Sequence, residues 1–186
     1  MADTQIKSFQ PTHARRSDGV RLACPSAEHA NTTTLGIFED ADASDVRLYL
    51  AADTAKKVGQ TFEFTFVPYV VDNNSTDTLV CRMVMDDGTN TNVLYTTTAK
   101  DVGDGETGSI TVRVEVITLG STGTARLYVT GAHNFAGTYI LADGAAGEST
   151  VTVDWTAQAN VYVDADWSVA HADNQARLDA FWGRLL

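Results

Sequence analysis

The stretch Gly108 to His133, GSITVRVEVITLGSTGTARLYVTGAH, constrains this chain more than any other. Ile110, Val112, Val114 and Val116 alternate with Thr111, Arg113 and Glu115. Ala125, Leu127 and Val129 alternate in the same way with Arg126, Tyr128 and Thr130. Period-two alternation puts one set of side chains on each face of a strand, so both arms read as half-buried strands. Gly120-Ser121-Thr122-Gly123 lies between them and suits a tight reversal. A hairpin with one apolar face is not stable alone in water, so a second sheet must cover it.

The rest of the chain repeats the pattern. Strands are expected over 45–52, 60–71, 78–86, 92–98, 150–156, 160–163 and 174–186, with Gly, Asp and Asn between them. Phe62, Phe64 and Phe66 face one way and Glu63 and Thr65 the other. Pro68 has no N–H to give a ladder, so that strand is expected to lie at an edge, to carry a bulge or to end there. In the last strand Leu178, Ala180 and Trp182 are expected on one face, against Arg177 and Asp179. Short helical windows are confined to 54–58 and 173–176. The expected fold is an all-β antiparallel β-sandwich or jelly roll of about eight strands over residues 35–186. Residues 1–34 lack sustained periodicity and read as an extended N-terminal arm.

Charge narrows the partners. The net charge is −11 over 186 residues. Residues 1–34 hold four basic and three acidic groups, and the remainder nine basic and twenty-one acidic. So acidic a body disfavours nucleic acid and anionic membrane, both of which need a basic footprint. The absence of an apolar window of about 20 residues predicts no transmembrane helix. The opening MADTQIKSFQPTHARR has no apolar core and does not read as a secretory signal. Cys24 and Cys81 are expected as reduced thiols, Cys81 acting as a small buried apolar residue.

The motifs for chemistry are sparse. His13, His29, His133 and His171 have no partner at metal-ligand spacing. Asp40, Asp42 and Asp45 form one acidic group and Asp101, Asp104 and Glu106 another. Acidic loops are ordinarily solvated; calcium at Asp40, Asp42 and Asp45 is the alternative, without the spacing or glycine of an EF-hand. No catalytic residue and no other cofactor is expected. Tyr49, Tyr128, Tyr162, Trp167 and Trp182 have the chemistry to stack on sugars if exposed. Arg113, Glu115, Arg126 and Tyr128 should form a cross-strand polar network on the outer hairpin face.

Taken in order, the Phe-x-Phe-x-Phe strand, Leu79-x-Cys81-x-Met83, Tyr95-Thr96-Thr97-Thr98, the long hairpin and Thr150-Val151-Thr152-Val153-Asp154-Trp155 resemble small jelly-roll structural proteins of tailed bacteriophage virions. The resemblance covers about residues 35–186 and is to the head-decoration, fibre and tail-appendage type. It implies a non-enzymatic virion protein made in the host cytoplasm, a homo-oligomer such as a trimer, and major capsid or other virion proteins as partners. The arm lies outside it. Attachment through the arm would use Ile6, Phe9, Val20 and Leu22 for apolar burial, with Arg15, Arg16 and Arg21 meeting acidic surface. A tail or fibre module that binds a host receptor or carbohydrate is the alternative.

Overall fold

The structure, a computed structural model, describes residues 32–39, 45–74, 76–134 and 150–186 in full. Five further pieces are described by their backbone pairing: Lys7–Phe9 (β1), Val20–Arg21 (β2), His29–Ala30 (β3), Ile140–Leu141 (β12) and Ser149. The remaining strands are β4 (Gly36–Ile37), β5 (Arg47–Leu50), β6 (Thr61–Asp72), β7 (Thr78–Asp86), β8 (Thr91–Thr96), β9 (Lys100–Asp101), β10 (Gly108–Thr118), β11 (Gly123–His133), β13 (Ser149–Val153), β14 (Ala159–Trp167) and β15 (Gln175–Leu185). No helix occurs among the described residues, and the windows 54–58 and 173–176 are turn and strand start instead.

Two sheets pack face to face, giving the all-β antiparallel sandwich expected from the alternation. The first sheet runs β1-β5-β14-β7-β8, with β4 also on β14 and β9 on β7. The second runs β12-β11-β10-β6-β15-β2, with β13 also on β11 and β3 on β15. In chain order the strands change sheet from β1 to β2, β3 to β4, β5 to β6, β6 to β7, β9 to β10, β13 to β14 and β14 to β15, so each sheet is stitched from distant segments.

The long hairpin forms with the expected register, Val112 opposite Val129 and Val114 opposite Leu127. Ile110, Val112, Val114 and Val116 are fully buried. Phe66, Phe64 and Phe62 on β6 stand beside Ile110, Val112 and Val114 in the same sheet and on the same face. The opposite wall of the core comes from β5, β7 and β14, with Leu48, Leu79, Cys81, Met83, Val161 and Trp167. Of the two turn glycines, Gly120 takes a positive φ of 99°. Gly123 serves close approach instead: a Cβ there would run into the Trp155 ring. Trp155 stacks on Phe62, centroids 5.8 Å apart, and closes that end of the core.

Pro68 lies inside the sheet, between β10 and β15, and the ladder is interrupted around it. On one side β15 bulges, Leu178 pairing with Pro68 and Ala180 with Val67. On the other the β10 ladder stops at Ile110 opposite Phe66, and the Thr107 hydroxyl donates to the Pro68 carbonyl at 2.8 Å. The bulge reverses which side chains face inward. Leu178, Ala180 and Phe181 are buried, whereas Trp182 emerges on the outer face, opposite to expectation.

The arm pieces pair with sheet edges of their own chain. β1 lies parallel to β5, Phe9 opposite Leu50. β2 and β3 lie antiparallel to β15, Arg21 opposite Trp182 and Ala30 opposite Gln175. Main-chain groups that would be unpaired at two edges are thereby partly covered.

Candidate functional site

Polar side chains concentrate in the loops at the two ends of the sandwich and on its two outer faces. At one end Asp87 is buried. Its carboxylate accepts from the backbone N–H of Thr89 (2.8 Å), Asn90 (2.6 Å) and Asp154 (2.7 Å) and from Asn90 Nδ2 (2.9 Å). Burial alone would raise its pKa, but the donors outweigh it and hold the group below the usual carboxylate range. The residue ties the β7–β8 turn to the segment before β14. At the other end Asn174 is fully buried. Its Nδ2 donates to Asp77 Oδ2 (2.9 Å) and to the Val169 carbonyl (2.8 Å), and its Oδ1 accepts from the Asn74 N–H (2.9 Å). These are structural tasks performed by polar residues.

The acidic groups singled out in the sequence divide similarly. Asp40 and Asp42 lie outside the described residues. Asp45 is held by the Arg47 guanidinium, Nε to Oδ2 at 2.9 Å. Glu106 accepts from the Gly103 N–H at 2.9 Å, Asp104 accepts from the Asn73 N–H at 3.0 Å, and Asp101 is exposed in β9. No group of three or more His, Cys, Asp or Glu among the described residues is arranged to hold a metal ion. Cys81 is fully buried, and burial first, then Asp164 and Asp166, push its thiol far above the ordinary value. It is therefore a packing residue rather than a nucleophile. Cys24 lies outside the described residues, as do His13, Ile6, Arg15, Arg16 and Leu22. Phe9 falls in β1, Val20 and Arg21 in β2, and His29 in β3.

On the outer face of the first sheet, Arg82 makes a two-pronged pair with Asp164, Nε to Oδ1 at 2.9 Å and a terminal nitrogen to Oδ2 at 2.6 Å. Arg47 lies over the Tyr162 ring, 5.0 Å from its centroid. Trp167 was the wrong candidate for a surface aromatic: it is buried in the core, because alternation from Tyr162 turns it inward.

The outer face of the second sheet carries the expected hairpin network in altered form. The Tyr128 hydroxyl donates to Glu115 Oε2 at 2.9 Å, and Arg126 donates to Tyr128 at 3.4 Å. Arg113 turns the other way, to Glu63 on β6 (Nε to Oε2, 2.8 Å), and Arg184 on β15 reaches the second oxygen of the same carboxylate (Nε to Oε1, 2.6 Å). Pairing register brings the three together: Arg113 and Arg184 both lie opposite Glu63. Burial raises the Glu63 pKa, but the two guanidinium groups more than offset this, so it stays below the usual value. A carboxylate lowered in the folded state stabilises above its unfolded pKa, near 4.5, and that contribution disappears as pH falls through the folded value. Replacing Glu63 by Gln is expected to cost about 2 kcal/mol at neutral pH through loss of charge-assisted bonds. The gap from wild type should then shrink in thermal unfolding below about pH 4.5. A gap that stays constant down to strong acid would contradict the assignment.

No family model matches this chain, and no curated protein matches it. One solved structure that aligns over all of this chain is a GH43 glycoside hydrolase engineered to display both endo-xylanase and exo-arabinofuranosidase activity. Identity is 13%, the TM-score is 0.31, and the chain spans 41% of that protein's length. Likeness at that score carries no argument about activity here.

Proposed function

We propose that this chain is an architectural subunit: a structural virion protein of a tailed phage, of the capsid decoration kind, attached to its neighbours through the N-terminal arm. The reading is supported above all by the way the arm binds. β1 adds to the free side of β5, and β2 and β3 add to that of β15, all through main-chain pairing. Strand addition places few demands on side chains and works equally within a chain or between chains. The body suits such a part, since the two-sheet core and the ends tied by Asp87 and Asn174 make it a stiff block.

Deletion of residues 2–30 tests this. The body should remain folded, with somewhat lower thermal stability from the uncovered edges, and binding to particles carrying the major capsid protein should be lost. Charge reversal at Arg15, Arg16 and Arg21 in the full chain should weaken binding while leaving unfolding unchanged. Normal particle binding by both variants would overturn the proposal.

A further inference from the structure

The outer face of the second sheet differs in charge and composition from the rest of the body. It presents Arg113, Arg126, Arg177 and Arg184. Against them stand three carboxylates, Glu63, Glu115 and Asp179, for a net +1. The rest of residues 35–186 holds five basic and eighteen acidic groups. No lysine occurs in β6, β10, β11, β13 or β15. The aromatic residues there are Tyr128, which is 44% exposed, Trp182, turned outward by the β15 bulge, and Tyr69. Arginine with Tyr and Trp, and without Lys, is the composition of an interface core rather than of a solvated face. The side chains are also held in place in advance. Glu63 holds Arg113 and Arg184, Glu115 holds Tyr128, and Arg177 is fixed by Asp179 (2.8 Å) and by the Tyr69 ring (4.7 Å). Side chains already ordered lose little freedom on binding.

The opposite outer face supplies the complement. On the first sheet Asp45 pairs with Arg47 and the buried Asp164 with Arg82, and Asp86 and Asp166 add two further carboxylates to the same face. This face is net negative and carries Val93, 44% exposed. From this we infer that the arginine-rich face of the second sheet docks on the acidic first-sheet face of a second copy of the chain. The two patches lie on opposite sides of one sandwich, so the contact is heterologous and either closes into a ring or continues as a stack. The inference rests on the architectural reading above, but it concerns contacts between copies, whereas that reading turns on the arm.

Light scattering on the full chain at high concentration tests it. At low salt the mean mass should rise by about twofold or more over the monomer, and it should return to the monomer value near 1 M salt, where screening acts within about 3 Å. The exposed Tyr128→Ala should hold the mass at the monomer value with an unchanged melting temperature, and so, separately, should Arg126→Glu, with a somewhat lower melting temperature because the new carboxylate lies opposite Glu115. Mixing Arg126→Glu with Asp86→Lys/Asp166→Lys should restore association. A wild-type monomer at low salt, or variants that assemble as well as wild type, would overturn it. So would a glycan-array signal abolished by Tyr128→Ala in a chain that does not self-associate. Because residues 1–34 are intact in every variant, loss of self-association with retained particle binding would separate this contact from the arm.

Discussion

Replacing Phe64 by alanine is expected to remove about 3–5 kcal/mol of folding stability, the usual range for truncating a buried phenylalanine. Phe64 is 1% exposed and lies at the middle of β6, the strand between β10 and β15. Val112 stands beside it on one side and Gly183 on the other. A Cβ at position 183 would come within 2.8 Å of the Phe64 ring, so the ring fills the space that the glycine leaves open. No side chain at 183 is available to collapse into the cavity, which places the loss toward the upper part of the range. For a domain whose total is about 5–15 kcal/mol, that is a large fraction of the stability and, at the lower end of the range, nearly all of it. Denaturant titration measures this directly. Tyr128→Ala, on the outer surface, should fall within about 0.5 kcal/mol of wild type in the same assay. A Phe64→Ala cost below that of an ordinary surface change would mean that the sheets do not pack as described.

The second large effect is electrostatic. Arg82→Ala is expected to cost about 3–5 kcal/mol, because it leaves a buried carboxylate without its counter-charge. Asp164 is 5% exposed, and both its oxygens are bound by Arg82 across the β7–β14 ladder. Asp166, two residues along the same strand, offers no compensation. Removing both charges at once, as Arg82→Met with Asp164→Leu, should recover most of the loss, since well-packed apolar pairs replace buried ion pairs at little cost. The two variants are compared with wild type by their denaturant midpoints. Equal destabilisation by the single and double replacements would rule out an uncompensated charge as the cause.

The strands with apolar and β-branched residues at every second position were legible in the chain. β6, β7, β10, β11 and β15 lie within a residue or so of where alternation places them. β14 was read as a fragment, 160–163, though it runs from Ala159 to Trp167. Its second half alternates Asp164 and Asp166 with Ala165 and Trp167, and Asp and Ala are poor strand formers, so propensity hid a period that tertiary pairing enforces. The outward turn of Trp182 was invisible for a different reason. A bulge has no signature in period-two alternation, and it reverses every side chain beyond it. Which strands share a sheet was also beyond the pattern. Alternation puts Phe62, Phe64 and Phe66 on one face without saying which sheet holds them; they lie beside the hairpin and extend its apolar face sideways.

The charged clusters follow the same division. Glu63 alternates with Phe62 and Phe64 and was assigned correctly to the outer face, but its clamp by Arg113 and Arg184 needs β6 between β10 and β15. Those arginines are 71 residues apart in the chain, and nothing local brings them together. Acidic loop residues such as Asp104 and Glu106 advertise a ligand in sequence, while in the fold Asp104 accepts a hydrogen bond from Asn73 of a neighbouring loop and Glu106 one from Gly103 of its own.

The proposed role, a part of a larger particle held there by the arm, is open to direct measurement. The most direct measurement is the stoichiometry and position of the full chain on intact, purified particles, imaged beside particles assembled with the chain lacking residues 2–30. The account predicts full-length copies in fixed number at one repeated surface position, and an empty position when the arm is missing. Particles that carry no copies of the full-length chain, or carry the truncated chain at the same sites and number, would contradict it.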